Sequence, residues 1–426
     1  MSRGRAIILR TETRIAPFGD PVAEVFFSGE TLAETQDRAL GGIGLEVVRA
    51  ADPAEAIALA RGSSGRCLLL LDRVYLSEKA ARDFWKAAAK APRPSALALT
   101  KNASVEYTRP LQDVLERDDR VIHDVVEIDP ARLPPAEDDA IAWMHRVRDE
   151  AQPVDVPKRE IVIEVPLPVI GERERAIMRY PLTSTVVVAV DHWVHVLWLN
   201  QLAFPIRWLE LFRRRPLWAL WRALSAFSMK GDRLLLRLVR VERGAQIHPT
   251  ASLSGSIVGA GAKIGAHVTL KNSIVGAGAI IEDHSVLLNS VVGPRALITS
   301  NTFLVSSAVY PDATVGNYKL QVSLIGRGAY VHVWAGFIDA KFVGHVAVQH
   351  RGALVSTERS FLGSVVGHRA QVVAKILIHP GREIPNDAMI VMRPDEVVSI
   401  VPADIEPGRP MVRDRGTLVP LGREQP

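Results

Sequence analysis

Cysteine is almost absent from this 426-residue chain, which has one, Cys67. A single cysteine excludes an intramolecular disulfide framework and is typical of a reducing compartment. The apolar run that starts at Ala6 is too short for a secretory signal peptide, so the expected location is the cytoplasm. Hydrophobic residues at 48% and charged residues at 23% exclude a disordered chain. The length predicts about two or three domains.

Helical spacing is missing from the second half of the chain, where a period of seventeen residues takes its place. Three interleaved aliphatic series share this period: Leu253, Leu270, Leu287, Leu304; Val258, Val275, Val292, Val309; and Ile247, Ile264, Ile281, Ile298, Val315. A common period in three series indicates a three-sided coil with one inward aliphatic residue on each side. We therefore predict an all-β left-handed parallel β-helix of hexapeptide repeats over residues 244–392, with about eight coils.

The first 155 residues alternate strand-like and helix-like patterns. The predicted strands are Ala6–Leu9, Leu45–Val48, Cys67–Leu71 and Ala96–Leu99, and the predicted helices are Leu32–Leu40, Pro53–Arg61 and Ser77–Ala91. This alternation predicts an α/β Rossmann-like domain over residues 1–155, with a parallel sheet and helices on both faces.

Four residues of this domain lie at or shortly after the ends of predicted strands. Thr13, Arg14 and Pro17 come after the first strand, and Asp72 ends the third. With the six-six-five coils, they resemble sugar-phosphate nucleotidyltransferases (NDP-sugar pyrophosphorylases), which join a Rossmann-like domain to a C-terminal left-handed β-helix. The resemblance implies that Arg14 is catalytic, that Thr13 and Asp72 bind the cofactor and nucleotide, and that Asp72 holds Mg²⁺. It also implies a nucleotide or sugar nucleotide as partner.

The loop after the first strand departs from that family. Arg10, Thr11 and Glu12 replace glycines that let backbone N–H groups approach phosphates, and Val22 replaces a lysine. These changes predict an impaired or lost pyrophosphorylase in sugar-nucleotide or envelope-polysaccharide metabolism, with Mg²⁺ needed only if it is active. The alternative from another class is a non-catalytic scaffold or sensor at a membrane surface.

Residues 156–243 form a predicted connector that is apolar and rich in tryptophan and arginine. Between Asp191 and Arg243 lie five of the eight tryptophans and ten Lys or Arg against four acids. Pro205 and Pro216 predict short helices, and Asp191 argues against a membrane-spanning one. The composition suits either an anionic membrane surface, at the inner face, bound through 191–243, or internal packing. No nucleic-acid-binding motif accompanies the charge, so no nucleic-acid partner is expected.

Histidines on the predicted β-helix support a third hypothesis about function, in which the protein is an acyltransferase that acts on a sugar. Its general base would be His332 or His350. With His368 these residues are spaced eighteen apart and could stack along one edge of successive coils. The spacing of His345 and His350 resembles a zinc site, but the third ligand is missing. Residues 393–426 are predicted to cover the last coil, and a homo-oligomer remains open.

Overall fold

The structure is a computed structural model, and it describes residues 4–166, 177–214, 217, 238–316 and 318–421. The described α-helices are α1 (Leu32–Gly41), α2 (Pro53–Arg61), α3 (Glu78–Ala88), α4 (Ala103–Thr108), α5 (Ala140–Asp149) and α6 (Trp193–Arg214). Short 3-10 helices lie at Val22–Glu24 and Pro394–Glu396. The strands that precede α6 are β1 (Arg5–Leu9), β2 (Arg14–Ile15), β3 (Asp20–Pro21), β4 (Phe26–Phe27), β5 (Glu30–Thr31), β6 (Glu46–Ala50), β7 (Cys67–Leu71), β8 (Val74–Leu76), β9 (Ser95–Thr100), β10 (Leu115–Arg117), β11 (Arg120–Ile128), β12 (Gln152–Asp155), β13 (Glu160–Pro166), β14 (Ile177–Thr183) and β15 (Val187–Ala189).

The N-terminal domain is built on a mixed sheet of order β12-β9-β11-β7-β1-β6, to which β10 adds beside β11. Strands β1, β6 and β7 are parallel, and β12 is parallel to β9. Strand β11 runs antiparallel to both β7 and β9, so the prediction of a wholly parallel sheet is wrong. A strand that is buried on both faces is an apolar run in the sequence, and such a run does not show which way the strand is directed in the sheet. The predicted strands and helices are confirmed to within a few residues at their ends.

Local signals explain where the helices of this domain begin. The Thr31 hydroxyl accepts a hydrogen bond from the Glu34 N–H, and the Glu34 carboxylate accepts one from the Thr31 N–H, which completes a capping box. Asp52 caps α2, where Pro53 occupies the first turn, and Ser77 caps α3. The central strand β7 is buried along its whole length, and each of its leucines contributes about 1.5–3 kcal/mol by burial.

Before its tail, the second half of the chain is a series of short strands, and all but one inserted pair of them are parallel and wind as a parallel β-helix. These strands are β16 (Val239–Val241), β17 (Gln246–Ile247), β18 (Ser252–Ser254), β19 (Ser256–Val258), β20 (Lys263–Ile264), β21 (Thr269–Lys271), β22 (Ile274–Val275), β23 (Ile280–Ile281), β24 (Val286–Leu288), β25 (Val291–Val292), β26 (Leu297–Ile298), β27 (Phe303–Val305), β28 (Ala308–Val309), β29 (Thr314–Val315), β30 (Leu320–Gln321), β31 (Leu324–Ile325), β32 (Tyr330–Val331), β33 (Gly336–Phe337), β34 (Ala347–His350), β35 (Ala353–Ser356), β36 (Val365–Val366), β37 (Gln371–Val372), β38 (Leu377–Ile378), β39 (Glu383–Ile384) and β40 (Met389–Ile390).

Three stacks of these strands form the sides of the β-helix. The first sheet runs from β16 to β39 and the second from β17 to β40, each with eight strands, which confirms the predicted number of coils. The third sheet runs from β18 to β30, and the pair β33–β38 occupies the same position in later coils. The seventeen-residue series point inward and form one buried cluster. An antiparallel hairpin, β34–β35, is inserted between β33 and β36.

Buried serines stack at the corner that precedes the first sheet. Each hydroxyl but the last accepts a hydrogen bond, of 3.0–3.3 Å, from the backbone N–H of the serine one coil further on. The series is Ser256, Ser273, Ser290, Ser307, Ser323 and Ser364. The ladder satisfies backbone groups that would otherwise be buried without a partner at a sharp corner.

Glycines at the next corner are required by close approach between coils. A Cβ added at Gly276 would lie 2.5 Å from the backbone nitrogen of Pro294, and one at Gly293 would lie 2.6 Å from that of Pro311. No relaxed contact is possible at such distances, because the obstructing atoms belong to the backbone of the neighbouring coil.

The described part of residues 156–243 begins with strands and then forms one long helix. Hairpin β13–β14 is followed by β15, which pairs with β8 of the N-terminal domain. Helix α6 spans 22 residues and passes through position 205, so the prediction of short helices divided there is wrong. Packing of its buried tryptophans outweighs the proline's cost of about 3 kcal/mol. Residues 215–216 and 218–237, with Pro216 and two of the tryptophans, lie outside the described ranges.

Helix α6 joins the two halves of the molecule. Trp193 and Trp198, with exposures of 0% and 2%, pack against outward side chains of the first sheet in one buried cluster. This part of the 191–243 segment therefore packs internally, whereas a membrane contact through the rest of it stays a prediction. Among the described helices, none has both the length and the hydropathy needed to cross a membrane.

The C-terminal tail folds mainly on itself. Strands β41 (Met411–Asp414) and β42 (Thr417–Pro420) form a small antiparallel sheet, which bridges to Ile400. Met389, on the outer face of the last coil, is 64% exposed, and cover of that coil by residues 393–426 stays a prediction.

Candidate functional site

The carboxyl ends of β1, β7 and β9 meet at one edge of the α/β sheet, because these strands share one direction. Asp72 and Lys101 directly follow β7 and β9, and Thr11 lies two residues after the end of β1. Ligands of α/β sheets usually bind at this edge, where loops after the strands converge. In this molecule, hairpin β34–β35 and the segment after it lie against the neighbouring segment 107–113.

Asp72 is enclosed at this edge. Its side chain accepts a hydrogen bond of 2.7 Å from the Thr11 hydroxyl, and the residue is 5% exposed. Burial raises the pKa of Asp72 above its ordinary value, although the bond from Thr11 opposes that effect. The Gln36 side-chain amide covers the same strand end by donating to the carbonyl oxygens of Asp72 and Val74.

The structure does not bring the other two predicted site residues to Asp72. The exposed Arg14 side chain donates a hydrogen bond of 2.7 Å to the Gly19 carbonyl oxygen, within its own turn. Thr13 makes backbone contacts: its N–H points to the Thr11 hydroxyl and its carbonyl accepts from Val22. Thr11 therefore occupies the place that the sequence reasoning gave to Thr13.

The loop after β1 is docked onto the β-helix. His368 Nδ1 accepts a hydrogen bond from a backbone N–H, so its Nε2 carries the proton and donates to Asp20 Oδ2 at 2.9 Å. The Phe18 ring stacks on His368 and Tyr310, with centroids 4.6 and 5.1 Å away. Asn386 donates to the Phe18 carbonyl oxygen at 2.6 Å. These contacts hold the loop against the coil corners.

A buried ionic network lies behind this edge. Arg73 is fully buried, and its guanidinium contacts Asp191 at 2.5 Å and Asp124 at 2.9 Å. Arg148 contacts the second oxygen of Asp124, and His145 lies 3.7 Å from the first. Burial by itself would raise the pKa of Asp124, but the His145 ring and the two guanidiniums lower it to about 2. The network is enclosed and its charges are paired, although the buried Arg73 Nε has no hydrogen-bond partner among the described residues.

A charged cleft of about 460 Å³ opens beside the end of β9. The residues that line it are all charged: Lys101, Glu106, Arg109, Glu116, Glu358 and Arg359. Arg109 and Lys101 both contact Glu116, at 3.4 and 2.7 Å. Because the α/β domain and the β-helix each contribute to its walls, we define these six residues as the junction cleft.

Two consecutive residues of the β-helix insertion complete the junction cleft. Both carboxylate oxygens of Glu358 accept hydrogen bonds from Arg109 Nη2, at 3.1 and 3.0 Å. The backbone of Glu358 is left-handed, with φ at 56°, a conformation that costs a non-glycine residue about 1–2 kcal/mol. Arg359 lies over the Tyr107 ring, at 4.5 Å from its centroid, and donates to the Tyr107 carbonyl oxygen.

Sequence reasoning missed the junction cleft because no local pattern marks it. Arg109 and Glu358 are 249 positions apart, and each alone has the appearance of an ordinary surface charge. The comparison with known proteins supplies no further guide. No protein-family model matches this chain, and no curated protein does.

The residues at Asp72 do not fit the Mg²⁺ that the family resemblance implies. Mg²⁺ in such sites is bound by one or two carboxylates that keep oxygens free for the metal and for phosphate. Asp72 is nearly buried and already bonded to Thr11. In the part of the chain that the structure describes, no group of three His, Cys, Asp or Glu side chains could hold a metal ion.

The histidines proposed as acyltransferase bases lie in different places. His332 follows β32 of the second sheet, His350 ends β34 of the inserted hairpin, and His368 follows β36 of the first sheet. The expected stack along one edge is therefore wrong, because His332 and His368 follow strands of different sheets and His350 lies in the inserted hairpin. His350 lies 5.4 Å, ring to ring, from His192, and burial lowers the pKa of His350.

Proposed function

We propose that this protein is a non-catalytic relative of the sugar-phosphate nucleotidyltransferases that binds a phosphate-bearing sugar derivative in the junction cleft. The proposal takes the N-terminal domain as Rossmann-like and the β-helix as left-handed, as in that family. The junction cleft carries it, because a site lined only by charged side chains lies at the sheet edge where such domains bind ligands. Under this proposal the protein is a sensor or scaffold in sugar-nucleotide or envelope-polysaccharide metabolism.

Arg109 is the central group of the proposed site. A guanidinium that holds a carboxylate can hold a phosphate in the same way, since both present oxygens to its N–H groups. Lys101 and Arg359 add positive charge from two other walls. In the absence of ligand, the Glu358 carboxylate occupies Arg109.

Two features of the sheet edge support the loss of nucleotidyl transfer. Asp72 is bonded to Thr11 and nearly buried, so it is poorly placed to hold a metal ion on a triphosphate. The loop that would cradle the nucleotide is held on the β-helix through Asp20 and Phe18 instead. Glu12 remains exposed in that loop and adds a negative charge where phosphates would approach.

The test is calorimetric titration with glucose 1-phosphate and, separately, with inorganic phosphate. Arg109→Gln removes two or more charge-assisted hydrogen bonds and should weaken binding by tenfold or more. Glu358→Gln removes the competing charge of a half-exposed ion pair and should strengthen binding about two- to fivefold. Affinity should be the same in EDTA, because no metal is required.

Arg295→Gln is the matched control, since Arg295 forms an exposed bidentate pair with Asp312 far along the β-helix surface. It should leave the affinity unchanged. Equal binding by wild type and Arg109→Gln, or no binding of either ligand, would contradict the proposal.

A further inference from the structure

Large apolar side chains are exposed at one edge of the later coils. Tyr318, Trp334, Phe342 and Leu377 are 62%, 51%, 70% and 74% exposed. Trp334 lies at the corner after the second sheet. Gly336 comes two residues later on the same coil, and Leu377 of the next coil lies over it. We define these four residues, with the exposed Lys341 and Lys375, as the aromatic–lysine surface.

Two of the three exposed rings of this surface, Trp334 and Tyr318, are held in place. The Trp334 indole N–H donates to the Tyr318 hydroxyl of the preceding coil at 3.1 Å. Lys375 follows on the next coil, with its ammonium 5.7 Å from the centroid of the Trp334 ring. Side chains that are already ordered lose little conformational entropy when a partner covers them.

The loop that carries Phe342 begins beside these coils. Asp339 contacts Lys319, the neighbour of Tyr318, at 3.8 Å. Lys341 donates to the His345 carbonyl oxygen, which closes the loop around Phe342. Asp339, the one carboxylate of this loop, is therefore paired with Lys319. The loop tip presents the Phe342 ring beside the ammonium group of Lys341.

Charge favours one kind of partner. Over residues 318–345 and 370–380, which carry the aromatic–lysine surface, the chain has four Lys or Arg and one acid, Asp339. Asp339 forms an ion pair with Lys319. A symmetric contact with a second copy would bring the same lysines against each other, which is repulsive. An anionic lipid surface attracts the lysines and accepts the apolar side chains at the depth of its headgroups.

We propose that the aromatic–lysine surface docks the protein on an anionic lipid membrane. Phe342 and Leu377 would enter the boundary between headgroups and acyl chains, and Trp334 and Tyr318 would lie at headgroup level. Lys341 and Lys375 would contact lipid phosphates. This inference uses residues separate from the junction cleft and does not depend on the ligand proposed there.

The test is sedimentation of the full-length protein with phosphatidylcholine vesicles that contain or lack phosphatidylglycerol. Binding is expected only with phosphatidylglycerol, and it should weaken at high salt. Phe342→Ser should lower the partition coefficient about tenfold. Lys341→Gln and Lys375→Gln should each lower it about fivefold.

Ile161→Ser is the matched control, because Ile161 is 69% exposed on β13, in another part of the molecule. It should leave vesicle binding unchanged, and circular dichroism should show every variant folded. Failure of the wild type to sediment with anionic vesicles would overturn the proposal. So would vesicle binding that Phe342→Ser leaves intact, or a concentration-dependent dimer that Phe342→Ser abolishes.

Discussion

Replacement of Arg73 by methionine tests the buried ionic network most sharply. Arg73 is 0% exposed and forms ion pairs with Asp124 and Asp191, so the Arg73→Met variant leaves two buried carboxylates without this partner. Breaking a buried ion pair costs about 3–5 kcal/mol. Each carboxylate keeps one other contact, Arg148 for Asp124 and the Asp113 N–H for Asp191, both at 2.9 Å. We therefore expect a total loss within that range, not twice it.

The stability deficit of the Arg73→Met variant should shrink at acid pH. In the wild type the pKa of Asp124 is lowered to about 2, so its stabilisation is present above about pH 4 and is lost as pH falls through about 2. Without Arg73, burial acts against weaker compensation and raises that pKa. Asp124 then takes up its proton at a higher pH than in the wild type, so the wild type has more stability to lose and the deficit of the variant should shrink as pH falls from about 4 towards 2.

Urea denaturation followed by circular dichroism at pH 7 and at about pH 3 measures both effects. Arg295→Met, which breaks an exposed ion pair, should cost less than about 1 kcal/mol at either pH. A deficit for Arg73→Met below about 1 kcal/mol, or one that grows on acidification, would refute the reasoning about the network.

Three further substitutions test the β-helix and its contact with the N-terminal domain by the same denaturation assay. Ser290→Ala leaves the buried Ser307 N–H without its acceptor and should cost about 1–3 kcal/mol, whereas full stability would count against the serine ladder. Gly276→Ala places a Cβ 2.5 Å from the Pro294 nitrogen, so we expect a loss of at least about 1–3 kcal/mol and would abandon the close-approach argument if the variant were neutral. Phe18→Ala removes a ring that is 3% exposed between two rings of the β-helix and should cost about 3–5 kcal/mol, and a negligible loss would mean that the loop is not docked.

Short-range patterns in the sequence predict most of the fold. The seventeen-residue period appears in the chain because each coil repeats the same inward position, as Leu270 and Leu287 show by pairing in register. The strands of the α/β domain are likewise visible as apolar runs. The direction of β11 was not predictable, since an apolar run is the same in either direction. Helix α6 was misjudged at Pro205, because tertiary packing around Trp193 decides its continuity.

The candidate site was mostly hidden from the sequence. Asp72 was located correctly at the end of a strand, but its partner Thr11 was seen only as a missing glycine. The junction cleft depends on Arg109 meeting Glu358 across 249 positions. Such contacts arise from how two domains pack, and no periodicity or spacing within either domain records them.

The central claim is binding of a sugar phosphate without nucleotidyl transfer, and a pyrophosphate-release assay tests it most directly. The protein is incubated with Mg²⁺, each nucleoside triphosphate and glucose 1-phosphate, and the release of pyrophosphate is measured alongside calorimetric binding of glucose 1-phosphate. The account predicts binding that depends on Arg109 and no pyrophosphate above the protein-free blank. Pyrophosphate release by the wild type that disappears in Asp72→Ala would contradict it.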